Sequence, residues 1–209
     1  MKKKDLVILI LFAIIGIVAF FYDLSIIKFI EIHRNVYLNY FFFSINFLNN
    51  VFIVFFFLAV LLLWSKRKRW VPALIGSTLF SVIIAFIIKN IIKRPRPFTQ
   101  GISMLISMDK IINYISWDFS FPSFQAMLIF ATVPIVNKEF KKFKYYWFAF
   151  AVLAAFSRLY LGVHYLSDII VGSVIGYIIG WTMVRLEEKY KLGHTIDKKI
   201  DSKLFGMKK

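Results

Sequence analysis

Long apolar runs punctuated by clusters of lysine and arginine constrain this chain more than any other feature. Six stretches, at residues 6–22, 43–64, 71–92, 122–136, 146–163 and 169–185, are apolar almost throughout. Each is close to the roughly 20 residues that a helix needs to cross the hydrocarbon core of a bilayer. A backbone in that core has no water to bond, so such runs fold as helices. The 209 residues are 60% apolar with a mean hydropathy of +0.73, beyond the roughly 45–50% usual for soluble domains. The expected fold class is all-α: a polytopic membrane protein of six transmembrane helices.

The charges give this layout a direction. A formal net charge of +16 is concentrated at residues 2–4, 66–69, 138–144 and 185–209. These are alternate loops, the pattern of cytosolic lysine and arginine in membrane proteins, and anionic lipid headgroups attract the same clusters. The partner implied is a lipid bilayer rather than nucleic acid. Both termini are expected in the cytosol of a plasma-membrane protein, with residues 1–186 forming the membrane domain and 187–209 a basic tail. The first run lacks a small-residue cleavage site before Tyr22-Asp23, so it reads as a retained span rather than a signal peptide. Residues 24–35 mix Ile26, Ile27, Phe29 and Ile30 with Lys28, Glu31 and Arg34, which suits an amphipathic helix lying in the interface. Gly172, Gly176 and Gly180 recur every fourth residue and let a neighbouring helix approach closely, within one chain or between two. With no cysteine, disulfides, thiolate nucleophiles and zinc–thiolate sites are excluded.

Three polar segments, near Arg96, Pro122 and His164, meet the external face in this topology. His164 and Asp168 are four residues apart, one helical turn. An aspartate there can hold the proton of one ring nitrogen and leave the other to attack an electrophile. Arg158 adds a permanent cation suited to a phosphate. Lys89 and Arg96, seven residues apart, share a face if the helix reaches that far. Lys89 lies within an apolar run, where a charge is costly and calls for a function. Lys93 and Arg94 read as a basic flank snorkelling to the interface.

Taken in order, Lys89 followed by Arg96-Pro97, then Pro122-Ser123, then Ser157-Arg158 with His164 and Asp168, the chain resembles the type 2 phosphatidic acid phosphatase superfamily. That resemblance implies a six-helix fold and hydrolysis of phosphate esters on a phosphorylated membrane lipid, with no metal and no cofactor. It implies that His164 attacks phosphorus to give a phosphohistidine, with Asp168 orienting it. Lys89, Arg96 and Arg158 would hold the phosphoryl oxygens. Ser123 would add its hydroxyl and backbone N–H, and Ser157 would assist.

The chain departs from the family pattern at one place. The usual Pro-Ser-Gly-His is here Pro122-Ser123-Phe124-Gln125, and the resemblance assigns that histidine to protonating the leaving oxygen. Gln125 donates hydrogen bonds but transfers no proton at neutral pH, and losing a general acid costs about 10²–10⁴-fold in rate. Three explanations stay open. The substrate is a diphosphate ester, whose leaving phosphate needs less acid assistance. Alternatively the site binds lipid phosphates, or serves transport, without turnover. Or Gln125 is an engineered replacement. A phosphotransferase passing the group to an alcohol is a further alternative. The favoured expectation is a lipid (di)phosphatase, on a polyprenyl diphosphate, working at the external face. Among other candidates for the missing acid, His33 reads as an interfacial surface residue and His194 sits in the tail. Asp109 and Asp118 read as solvated loop carboxylates.

Overall fold

A computed structural model describes residues 3–65, 68–103, 119–191 and 193. Its described residues form seven α-helices and no strand. They are α1 (Lys3–Ile32), α2 (Val36–Leu48), α3 (Val51–Trp64), α4 (Val71–Ile92), α5 (Phe124–Glu139), α6 (Lys144–Tyr160) and α7 (Leu166–Tyr190). Asp109, Asp118, His194 and nearly all of the basic tail lie outside the described residues.

Among the described residues two helices, α4 and α7, are long and apolar enough to cross a membrane, and the bent pair α2–α3 makes a third candidate. Helices α5 and α6, at 16 and 17 residues, are close in length to the runs read from sequence but shifted, α5 starting later and ending later and α6 starting and ending earlier. Residues 71–92 fold as anticipated. Pro72 sits in the first turn of α4, and the helix closes at Lys93 in a left-handed conformation ahead of Pro95 and Pro97.

The interfacial helix expected at 24–35 does not exist as a separate element. No glycine or proline interrupts residues 17–32, so α1 continues unbroken to Ile32 and spans about 45 Å at 1.5 Å per residue. Asp23, just past the end of the first apolar run, is only 1% exposed. The second span is not one helix either. Asn50 caps α3 by accepting the Phe52 N–H at 3.0 Å, and the chain bends by 56° between α2 and α3.

Helix α5 is the axis of the structure. Its residues Ala126 to Ile129 and Ala131 to Val136 are buried, with α7, α6 and α4 packed around it. A helix apolar on all sides and surrounded by others belongs in a core. The α5–α7 contact is the largest, and the glycine repeat explains it. A Cβ on Gly172 would stand 2.6 Å from the Ser123 carbonyl oxygen, one on Gly176 2.1 Å from that of Met127, and one on Gly180 2.0 Å from that of Ala131. The repeat therefore packs helices within this chain. Outer faces of α1, α3 and α4 present Phe21, Phe29, Phe52, Phe56 and Phe86 to the surroundings, a display too extensive for a water-facing surface.

Candidate active site

The turn between α6 and α7 carries the nucleophile candidate. Both Val163 and His164 donate their N–H groups to the Arg158 carbonyl, at 3.2 and 3.3 Å, folding the chain back over the end of α6. Gly162 makes this turn with φ of +74°, and a Cβ there would meet Ser103 Oγ at 1.9 Å. His164 thus lies in the turn and not on the helix that carries Asp168, contrary to the one-turn spacing read from sequence. Asp168 is in the first turn of α7, where its Oδ2 accepts the Tyr165 N–H at 2.9 Å. That bond satisfies one orphan donor of the helix start.

His164 is 2% exposed, Asp168 0% and Arg96 4%. Arg96 Nη1 lies 3.3 Å from His164 Nε2 and donates to the Val163 carbonyl at 2.9 Å. Because a guanidinium only donates, Nε2 must accept, which puts the proton of a neutral ring on Nδ1. Nδ1 faces Asp168 Oδ2 at 3.6 Å and Ser120 Oγ at 3.5 Å. Direct hydrogen bonding requires a shorter approach, and catalytic contacts of this kind commonly tighten only when substrate binds. Ser120 bridges the pair by donating to Asp168 Oδ2.

Arg94 corrects the sequence reading. Rather than snorkelling, it is drawn inwards because two carboxylates and two rings receive it. Nη1 donates to Asp168 Oδ1 at 2.6 Å and to Ser167 Oγ at 2.8 Å, while Nη2 donates to Asp23 Oδ2 at 2.7 Å. The guanidinium carbon sits 3.9 Å from the Tyr165 ring centroid and 4.9 Å from that of Phe20. Burial pushes the Tyr165 phenol above its ordinary value, against the opposing pull of Arg94, so it stays a neutral donor to Gln100 Oε1 at 2.9 Å.

The remaining expected residues divide. Lys89 donates to the Phe119 carbonyl, beside Ser120. Arg96 lies beyond the end of α4, so it does not share a helical face with Lys89. Arg158 binds Asn46 of α2 through its guanidinium. Ser157 turns its hydroxyl back to the Ala154 carbonyl at 2.7 Å, an intrahelical bond that commits its proton. Helix α5 begins after Pro122, with Ser123 as the cap residue. The Ser123 N–H, expected to face an anion, is already bonded to the Asp168 carbonyl at 3.0 Å. By contrast, Ser123 Oγ and Gln125 Oε1 are buried polar atoms with no hydrogen-bond partner among the described residues. His33 is exposed, with Nδ1 2.7 Å from the Phe29 carbonyl oxygen. No group of three or more metal-ligating side chains occurs among the described residues.

Sequence reasoning missed Asp23, Ser120 and Asn46 as parts of this assembly. A signal existed for Asp23, a carboxylate next to an apolar run. None existed for Ser120 or Asn46.

The chain matches the PAP2 superfamily over residues 70–191. It is 25% identical over 132 residues to an undecaprenyl-diphosphatase of Sulfolobus acidocaldarius, a match covering 62% of this chain and 61% of that relative. Thus it spans about three-fifths of that relative's length. It is also 25% identical over 146 residues to the bacitracin transport permease protein BcrC of Bacillus licheniformis, covering 68% of this chain and 71% of that one. Two crystal structures share the fold. LpxE of Aquifex aeolicus superposes with a TM-score of 0.62 at 23% identity, over 78% of this chain and 94% of its own. The PAP2-type phosphatidylglycerolphosphate phosphatase of Bacillus subtilis gives 0.67 at 21% identity, over 88% and 96%.

Proposed function

We propose that this chain, which belongs to the PAP2 superfamily, is an integral membrane phosphatase acting on lipid diphosphates, with a polyprenyl diphosphate as its preferred substrate. The observation that carries the reading is the polarity of the His164 ring: Nδ1 towards Asp168 and Ser120, Nε2 towards Arg96. That polarity makes Nε2 the attacking atom. An incoming phosphoryl group would take the Arg96 donor, uncovering the Nε2 lone pair in the act of binding.

In the first step Nε2 bonds to the terminal phosphorus as the bond from that phosphorus to the bridging oxygen breaks, giving a phosphohistidine and a lipid monophosphate. Asp168 stabilises the charged ring. Water then attacks the phosphohistidine, releasing inorganic phosphate, restoring the imidazole and passing its surplus proton to solvent. Arg96, with Lys89 and Arg158, would offset the charge on the equatorial oxygens.

Gln125 supports the diphosphate preference. A lipid phosphate leaves as a stable anion, whereas an alkoxide leaving from a monoester needs the acid that glutamine cannot be. The name of the Sulfolobus acidocaldarius relative, an undecaprenyl-diphosphatase, points the same way. The alternation of basic clusters supports six spans, cytosolic termini and an external site.

Purified protein incubated separately with undecaprenyl diphosphate and phosphatidic acid tests this reading. Phosphate is expected from the diphosphate, faster than from the monoester, and His164→Ala should abolish it. Release from neither lipid, with binding retained, would favour the non-catalytic lipid-phosphate binder that Gln125 also accommodates.

A further inference from the structure

We propose that Asp23 is a positioning residue for the nucleophile, acting through Arg94 to keep one oxygen of Asp168 available to His164. Asp23 lies on α1, outside residues 70–191 that match the family, and is 1% exposed. Its Oδ1 accepts the Ser167 N–H at 3.0 Å, and its Oδ2 accepts both the Ser167 hydroxyl and Arg94 Nη2. A carboxylate buried among apolar helices is costly unless fully bonded, and among the described residues this one is bonded to the start of α7 and to the arginine that holds Asp168.

The geometry of the shared arginine carries the inference. A guanidinium facing one carboxylate prefers two parallel bonds to its two oxygens. Here the fork is divided: Nη1 goes to Asp168 Oδ1 and Nη2 to Asp23 Oδ2. The division leaves Asp168 Oδ2 to Ser120, the Tyr165 N–H and the facing His164 Nδ1. Remove the Asp23 charge and Nη2 loses its partner. Arg94 then closes on both oxygens of Asp168, drawing Oδ2 away from the ring. The Nδ1 proton loses its acceptor, and the tautomer that exposes the Nε2 lone pair loses its advantage.

The role in catalysis rests on the phosphatase reading, so the test has one arm that needs no turnover. Asp23→Asn keeps the shape and the bond to the Ser167 N–H. ¹⁵N NMR of the His164 ring nitrogens in the full chain should show the Nδ1–H tautomer dominant in the wild type and depleted in the variant. Undecaprenyl diphosphate hydrolysis should show kcat lowered about 10- to 100-fold, the scale at which outer partners act on a reactive group, with KM little changed. Arg94→Lys, which keeps the charge but has no fork to close on both oxygens of Asp168, should shift the tautomer and kcat less than Asp23→Asn does. If Asp23→Asn does not fold, Ser167→Ala carries the test, with a smaller shift of tautomer and kcat in the same direction. A folded variant with the wild-type tautomer would overturn the proposal, whatever its activity. If wild-type protein hydrolyses no lipid while Asp23→Asn still shifts the tautomer, the phosphatase reading fails and the positioning role stands.

Discussion

Arg96 Nη1 stands 3.3 Å from Nε2 of His164, so the guanidinium expected to bind phosphate also covers the atom expected to attack it. The two tasks are compatible only in sequence, with the substrate anion displacing the ring from the guanidinium. Arg96→Gln should therefore lower kcat/KM for a lipid diphosphate by roughly 10²–10³-fold, the usual loss for one charge-stabilising donor. Arg96→Lys should recover part of it, because lysine supplies charge without the planar fork. Steady-state kinetics on both variants check this; wild-type rates in Arg96→Gln would remove Arg96 from the site.

Gln125→His should supply the general acid that glutamine cannot be. Hydrolysis of a phosphomonoester such as phosphatidic acid is expected to rise at least tenfold, towards the roughly 10²–10⁴-fold that a general acid supplies. The diphosphate rate should rise far less. Equal gains on the two substrates would contradict the leaving-group argument for the diphosphate.

Ser157 and Ser120 should separate cleanly. The Ser157 hydroxyl proton is held by the Ala154 carbonyl within α6, so Ser157→Ala is expected to change kcat less than about threefold, the low end of what one neutral hydrogen bond contributes. Ser120→Ala removes the donor that reaches Asp168 Oδ2 and should lower kcat about tenfold or more, as losing a bond to a charged group does. Phosphate-release assays on both variants are sufficient.

Gly176→Ala should destabilise the fold even though alanine is the better helix former. The added Cβ would lie 2.1 Å from the Met127 carbonyl oxygen, backbone that cannot step aside. A loss of about 1–3 kcal/mol or more is expected for such overpacking, read as a lowered thermal midpoint in detergent. An unchanged midpoint would mean that α5 and α7 separate more easily than their contact suggests.

How far the sequence reveals this protein depends on the range of each interaction. Helix α4 is legible to the residue because its boundaries are local, with Pro72 at one end and Pro95 and Pro97 beyond the other. Continuation of α1 past Asp23 is not legible, since its polar residues read as an interface until their partners are known. The motif residues His164, Asp168 and Arg96 do converge, although His164 lies in a turn and Arg96 beyond its helix. Arg94 was misread for a physical reason: its partner Asp23 is 71 residues distant in the chain, and no local pattern distinguishes a buried arginine from a snorkelling one. Ser157 shows the converse, a motif residue whose hydroxyl bonds within its own helix.

The three glycines of α7 face Ser123, Met127 and Ala131 of α5, each step being four residues on both helices. Two such combs act as a vernier. Sliding one helix along the other meets backbone unless the movement is a whole notch, about 6 Å for four residues of helix. The first notch is also the place where the Ser123 N–H meets the Asp168 carbonyl. The height of Ser123 and Gln125 relative to His164 is therefore set in discrete steps, and on the proposed phosphatase reading the depth at which a substrate must present its phosphorus is set with it.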